Sequence, residues 1–126
     1  MIRTELSLRL GNSPGSLASV CRLLSDERVN ILALGLESGG QLRLLVDNHV
    51  HGAATLRDHH HQVTVRDVIV TSVPNAPGAL APALRLVADA NVNVEYAYSG
   101  APEAGPVALI VLGVDDAARA AAAAGI

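Results

Sequence analysis

Apolar residues alternate with polar ones in several short stretches of the chain, and between these stretches they recur every three or four positions. The segment "ELSLRL" alternates with Leu6, Leu8 and Leu10 on one face, which is typical of a half-buried strand. After Pro14 the spacing becomes helical, and "VNILALGLESGGQLRLLVD" then predicts two strands joined at Gly39-Gly40. A short helix, "GAATLRDHH", and a further strand, "QVTVRD", follow. The first half is therefore predicted to be strand, helix, strand, strand, helix, strand.

The second half of the chain repeats this pattern. Residues 12–31 align with residues 75–94 without a gap and are identical at ten of the twenty positions. The second copy opens with the strand "DVIVTSV" and continues through "VNVEYAYS", a loop "GAPEAGP", a strand "VALIVLGV" and a helix "DDAARAAAAA". Each repeat is read as the same supersecondary unit. No strand follows Ile126, so the second copy is predicted to lack its last strand.

This order of elements predicts an α+β fold made of two tandem ferredoxin-like βαββαβ units. Each unit has an antiparallel sheet with both helices on one face. We place the first domain at residues 1–66 and the second at residues 67–126, side by side as one extended sheet.

The residues on the two faces of each strand indicate whether the protein forms a dimer. If Leu6, Leu8 and Leu10 lie under the helices, the opposite face is partly apolar, with Val68 and Val70 on one strand and Leu32, Leu34 and Leu36 lining another. We therefore expect a homodimer that covers this face.

The only aromatic residues, Tyr96 and Tyr98, are predicted to share a strand face with Val92 and Val94. We interpret them as packing residues under the helices or at a dimer seam. The alternative is that a phenol hydrogen-bonds a ligand or partner.

One motif, Asn-x-Pro-Gly, stands at the same place in both copies. We predict that Pro14 and Pro77 are the first helical residues, which puts Ser13 and Ala76 at the cap positions. The glycine lets another group approach the backbone, and the free N–H groups of a helix start suit a carboxylate. The alternative is that the motif is only a strand-to-helix turn.

Composition excludes several classes of function. The net charge is −3, there is no basic run, and Phe and Trp are absent, which argues against binding to nucleic acid or an anionic membrane. No apolar run reaches the roughly 20 residues of a membrane helix, no secretory signal opens the chain, and there is one cysteine, so we expect a cytoplasmic protein. Cys21 lies at a core position of a helix, no credible catalytic set is found, and we predict no enzyme and no cofactor.

Five histidines raise the possibility of a small metal sensor. They are His49, His51, His59, His60 and His61. Consecutive histidines at a helix end point in different directions, so we predict no metal site and interpret the run as a helix terminus.

The loop Asn-x-Pro-Gly-x-Leu, followed by Val-Asn-Ile or Val-Asn-Val at the second strand, resembles the ACT domain, a regulatory amino-acid-binding module. The resemblance covers the chain as two copies, and "NVEYAYS" is similar to stand-alone tandem ACT proteins of bacteria. It implies a non-catalytic regulatory protein that binds a small amino acid near the loop at a domain interface. The alternative is a protein–protein interaction module without a small ligand. The candidate ligand-binding residues are Asn12, Ser13, Gly15, Ser16, Leu17, Asn30, Asn75, Ala76, Gly78, Ala79, Leu80 and Asn93.

Overall fold

The computed structural model describes residues 1–101 and 105–125. The predicted loop "GAPEAGP" includes residues 102–104, which lie outside this part of the chain. The elements in chain order are β1 Ile2–Arg9, α1 Ser16–Asp26, β2 Ile31–Leu36, β3 Gln41–Val46, α2 His49–Asp58, β4 Thr64–Pro74, α3 Leu80–Asp89, β5 Val94–Gly100, β6 Val107–Val114 and α4 Ala117–Ala124.

The chain divides into two compact units, Thr4–Arg66 and Met1–Arg3 with Asp67–Ile126. The predicted domain ranges, 1–66 and 67–126, instead place Met1–Arg3 with the first unit. The segments "QVTVRD" and "DVIVTSV", which were expected to be separate strands, form the single strand β4. Both β1 and β4 therefore begin in one unit and end in the other.

In the unit Thr4–Arg66 the strand order is β1-β3-β2, and the strand pairs are antiparallel. Leu6, Leu8 and Leu10 lie under the helices as predicted, in a cluster that includes Val20 and Leu24 of α1. Leu56 of α2 is buried in the same cluster. Both helices therefore cover the same face of the sheet.

The unit that contains Asp67 repeats this arrangement. Its strand order is β4-β6-β5, again antiparallel, and its helix-side cluster includes Ile69, Val87, Leu112 and Ala120. The structure thus confirms two tandem ferredoxin-like units with helices on one sheet face.

The start of the chain lies beside β4, the first strand of the second copy. The Met1 ammonium donates to the Val70 carbonyl over 2.8 Å, and the Val70 N–H donates to the Met1 carbonyl over 2.8 Å. Met1–Arg3 therefore lie beside β4, where the ferredoxin-like plan requires a further strand. An exposed edge of β4 is covered in this way.

The prediction that Tyr96 and Tyr98 share a face with Val94 is wrong. A bulge interrupts the pairing of β5 with β6 between Val94 and Tyr96, so Val94 pairs with Val114 but Tyr96 pairs with Gly113. Val114 belongs to the helix-side cluster, whereas Gly113 is on the opposite face of β6. The tyrosines therefore lie on the face away from the helices, with ring centroids 6.4 Å apart and nearly parallel planes.

The same bulge occurs at the repeat-equivalent position of β2, between Ile31 and Ala33. It places Leu34 and Leu36 on the helix side, opposite Leu44 and Leu42, so they do not line the back of the sheet as expected. Both are exposed.

Several apolar residues outside the two helix-side clusters are buried within the single chain. They include Leu32, Leu45, Val68, Val70 and Val111. The homodimer stays a prediction. None of the helices in the described part of the chain is long and apolar enough to span a membrane.

Candidate functional site

The Pro-Gly pair of the repeated motif forms a turn in front of each helix. Ser16 N–H donates to the Ser13 carbonyl over 3.3 Å, and Gly15 between them has φ 87° and ψ −6°. These values match the third residue of a type II turn, which favours Pro before it and requires Gly or Asn. The second copy has the same bond, from Ala79 to Ala76. The Pro-Gly repetition is therefore explained by turn geometry.

The prediction that the prolines are the first helical residues is wrong. Helix α1 begins at Ser16, two residues after Pro14, and its cap position is Gly15. Ser13 is not a cap. Its hydroxyl instead lies 2.9 Å from the Ser16 hydroxyl, with a hydrogen bond between them.

An open pocket of about 770 Å³ lies between this turn and the β2–β3 hairpin, and we call it the loop pocket. It contains all five candidate residues of the first loop, with apolar side chains from β2 and α1 beside them. Its lining is Leu10, Gly11, Asn12, Ser13, Gly15, Ser16, Leu17, Ala18, Cys21, Leu36, Glu37, Ser38, Gly39 and Gly40. Its volume is in the range of roughly 300–1,000 Å³ that is usual for small-molecule sites.

The hairpin wall of the loop pocket is fixed to the end of β1. Leu10 N–H donates to the Gly40 carbonyl over 2.8 Å, and the Arg9 guanidinium donates to the Gly39 carbonyl over 2.6 Å. Gly40 has φ 87°, and a Cβ there would lie 2.6 Å from the Leu10 carbonyl oxygen. Only glycine allows this approach, so the hairpin glycine positions one side of the pocket.

The residues at the start of α1 that line the loop pocket have backbone N–H groups without an intrahelical partner. The first intrahelical bond runs from Ser19 N–H to the Gly15 carbonyl over 2.9 Å, so the N–H groups of Leu17 and Ala18 precede it. Among the residues that the structure describes, no side chain caps this end, and the first turn of α1 contains no acidic residue. These donors and the positive end of the helix dipole favour an anionic group such as a carboxylate.

Sequence reasoning missed Glu37, which brings a carboxylate to the opposite wall. Its side chain accepts a hydrogen bond from the Arg43 guanidinium of β3. Glu37 follows the turn at Ser13–Ser16 by 21 residues, and the bond between Leu10 and the β2–β3 hairpin brings it near. No local pattern could have assigned it to the site.

Asn12, the residue that first singled out the motif, is exposed at the pocket. It is the centre of a three-residue turn in which Ser13 N–H donates to the Gly11 carbonyl over 3.0 Å. Asn75 has the same turn, with Ala76 N–H donating to the Pro74 carbonyl over 2.9 Å. In the described part of the chain, neither Asn side chain has a hydrogen-bond partner.

The second loop repeats the backbone of the first without its polar groups. Ser13 and Ser16 are replaced by Ala76 and Ala79, and Gly100 stands at the position of Glu37. Gly78 keeps the left-handed conformation, with φ 78°. The candidate residues Asn75, Ala76, Gly78, Ala79 and Leu80 belong to the other unit and are not part of the loop pocket.

Pro82 shortens the second helix at its start. The residue equivalent to Ser19 is Pro82, which has no N–H to donate to the Gly78 carbonyl. Helix α3 accordingly begins at Leu80, one residue later than the position equivalent to Ser16. Pro82 is the third residue of α3, where a missing N–H removes no later bond.

The candidates Asn30 and Asn93 hold the start of a strand through their backbones. Asn30 N–H donates to Asp47 Oδ1 over 3.0 Å, and Asp47 N–H donates to the Asn30 carbonyl over 3.0 Å. Asn93 N–H donates to Asp115 Oδ1 over 3.1 Å in the same way. These contacts lie beside the two bulges, and neither asparagine lines the loop pocket.

The histidines have local roles near α2. His59 Nδ1 lies 3.0 Å from the Thr55 carbonyl, and His51 Nε2 lies 3.6 Å from Glu27 Oε1. His60 has φ 70°, the left-handed conformation expected where a histidine ends a helix. Among the described residues, no three His, Cys, Asp or Glu side chains converge as metal ligands do.

Comparisons with known proteins match the chain to one family model and to several solved structures. A family model described as an ACT domain pair matches residues 1–123. A solved structure of a protein from Bacteroides thetaiotaomicron is 32% identical, with a TM-score of 0.86, and the match covers 98% of this chain and 86% of that one. No curated protein sequence matches the chain.

Two more distant solved structures share the fold. The regulatory subunit of aspartate kinase from Thermus thermophilus, in a ligand-free form, is 17% identical, with a TM-score of 0.68 over 99% of this chain and 93% of that one. Aspartokinase III from E. coli, in complex with lysine and aspartate, is 18% identical, with a TM-score of 0.56 over 94% of this chain and 30% of that one.

Proposed function

The chain belongs to the family of ACT domain pairs, and from this premise we propose that it is a non-catalytic regulatory protein that binds a small amino acid in the loop pocket. The observation that carries the proposal is the convergence of Asn12, Ser13, Gly15, Ser16 and Leu17 on one pocket. A homodimer and a cytoplasmic location belong to the same proposal.

The chemistry of the loop pocket suits the two charged ends of an amino acid. The N–H groups of Leu17 and Ala18 supply donors for a carboxylate at the start of α1. The paired hydroxyls of Ser13 and Ser16 hold one further proton that can be donated to it. Glu37 provides a carboxylate for the ammonium group.

The ligand side chain would meet apolar surface. Leu17, Leu36 and Cys21 line the pocket, and Leu36 has 46% of its surface exposed. Covering that surface with a small neutral side chain contributes free energy to binding at about 25 cal/mol per Å² removed from water. We therefore favour a small neutral amino acid.

Regulation would follow from a population shift. An amino acid that binds one arrangement of the protein better than another favours that arrangement, and a protein partner responds to the change. The alternative function is an interaction module, in which the two loops serve only as turns and no amino acid binds. The shared type II turn in both copies is the observation that favours this alternative.

A thermal-shift screen against the twenty amino acids tests the proposal. At 100 times its dissociation constant a ligand adds about 2.7 kcal/mol to the free energy of unfolding. The informative variant is Ala18→Trp, because Ala18 is exposed, lines the pocket and would fill it with an indole. Its matched control is Ala81→Trp at the repeat-equivalent, exposed position of α3.

We expect one or a few amino acids to raise the melting temperature of the wild-type protein and of Ala81→Trp, but not of Ala18→Trp. Loss of the response in Ala81→Trp instead would move the site to the second loop. If no amino acid shifts the melting temperature of folded wild-type protein, the amino-acid proposal fails and the interaction module replaces it.

A further inference from the structure

A second surface depression lies at the other end of α1. It has a volume of about 380 Å³ and is lined by Cys21, Ser25, Arg28, Val29, Asn30 and Ile31. We call it the Arg28 depression. It shares Cys21 with the loop pocket, and Arg28 is the one charged residue in its lining.

The backbone of Arg28 has a conformation that does not favour arginine. Arg28 has φ 58°, and it follows the C-cap residue Glu27 at the end of α1. The equivalent residue of the second copy, Asn91, has φ 59°. Asparagine adopts this left-handed conformation readily, whereas a long side chain rarely does. The backbone conformation therefore accounts for an asparagine at position 91, but it does not account for an arginine at position 28.

The guanidinium of Arg28 holds no other side chain in the described part of the chain. Within residues 1–101 and 105–125 it forms no ion pair, whereas Arg22 of α1 lies 3.9 Å from Asp26. Arg28 is exposed, and its five N–H donors have the planar geometry that fits a carboxylate or a phosphate. Ser25 and Asn30 add neutral polar groups at the same depression.

We propose that the Arg28 depression is a binding site for an anionic group, a carboxylate or a phosphate, of a small molecule. The group has two possible sources. It is either a separate small anion or the acidic end of an elongated ligand that also fills the loop pocket. Ser25 follows Ala18 by seven residues along α1, a rise of about 10 Å, which an extended tripeptide spans.

Two probes separate these sources, and both are used at constant ionic strength. Inorganic phosphate tests a free anion. Tri-alanine, compared with its C-terminal amide, tests an elongated ligand whose carboxylate reaches Arg28. Binding is followed by thermal shift and by titration calorimetry on the full chain.

The variant Arg28→Asn introduces the residue found at the equivalent position of the second copy, where the backbone has the same conformation. It is therefore expected to fold and to have a melting temperature no lower than that of the wild type. The control is Arg22→Asn, an exposed arginine of α1 outside the depression. We expect saturable binding of at least one probe by the wild type and by Arg22→Asn, with the dissociation constant raised about tenfold or more in Arg28→Asn.

Binding of phosphate would identify a separate anion, and binding of tri-alanine but not of its amide would identify the elongated ligand. Either result supports the site if Arg28→Asn loses it. The proposal is overturned if neither probe binds, or if Arg28→Asn binds as tightly as the wild type. The variant Ala18→Trp fills the loop pocket and so tests the amino-acid proposal. Phosphate binding that persists in this variant would show that the Arg28 depression binds independently of the loop pocket.

Discussion

The ring of Tyr96 lies over the backbone of Gly113, the residue that pairs with it on β6. A Cβ atom on Gly113 would fall 2.2 Å from Tyr96 Cζ, so any side chain there must displace the ring. An aromatic ring that covers a strand glycine removes the exposed backbone that glycine would otherwise leave. The two residues therefore form one packing unit.

Gly113→Ala is expected to lower the free energy of unfolding by about 1–3 kcal/mol, because the ring must move from its place. In a Tyr96→Ala background the same substitution should cost much less, since the space is then free. A double-mutant cycle by urea denaturation measures this coupling. Additive effects of the two substitutions would show that the ring and the glycine do not depend on each other.

Gly40→Ala is expected to destabilise the protein and weaken any binding in the loop pocket. Its Cβ would lie 2.6 Å from the Leu10 carbonyl oxygen, and its φ of 87° is unfavourable for alanine, at a cost of about 1–3 kcal/mol. The control is Gly39→Ala, whose Cβ would meet nothing nearer than Arg9 Nη1 at 4.0 Å. Thermal unfolding of both variants gives the comparison, and equal melting temperatures would contradict the expectation.

Asp47→Ala should lower stability by about 0.5–1.5 kcal/mol, because Asn30 N–H loses the acceptor that holds the start of β2. Asp47→Asn keeps a side-chain oxygen and should cost less. The same pair of substitutions at Asp115 tests the equivalent contact with Asn93. Chemical denaturation measures the free energy of unfolding of each variant. If the Ala and Asn variants lose the same amount, the charge of the carboxylate, and not its hydrogen bond, stabilises the strand start.

The N-terminal ammonium makes stability depend on pH. Desolvation by burial beside β4 lowers the pKa of the Met1 ammonium below its ordinary value of 8.0. The folded state then binds fewer protons than the unfolded state between the two pKa values, so stability should rise with pH from the lowered pKa up to about 8.

Urea denaturation between pH 7 and pH 9 measures this dependence. A chain acetylated at its N-terminus has no titrating ammonium and serves as the control, because the two chains differ only at that group. A fall in the stability of the free-amine chain relative to the acetylated chain over this range would contradict the assignment.

The repeat, the order of elements and the helix-side core could be predicted from the sequence because they depend on local periodicity. The sheet face on which Tyr96 lies could not be predicted. One extra residue at a bulge moves the following side chains to the opposite face of the strand, and the apolar pattern of the sequence does not reveal it. The start of α1 was misplaced because Pro14 suits a type II turn as well as a first helical turn.

The candidate site could be predicted from the sequence only where its residues are close together along the chain. Asn12, Ser13, Gly15, Ser16 and Leu17 are close in sequence and line one pocket. Glu37 and Gly40 reach that pocket through pairing with the end of β1, which no local pattern encodes.

The placement of Met1–Arg3 means that the two copies of the repeat cannot be separated by one cut between them. A gene cut between Arg66 and Asp67 would return two similar sequences, but the second would lose the segment that covers the edge of β4. The second copy therefore depends on three residues that precede the first copy in the sequence.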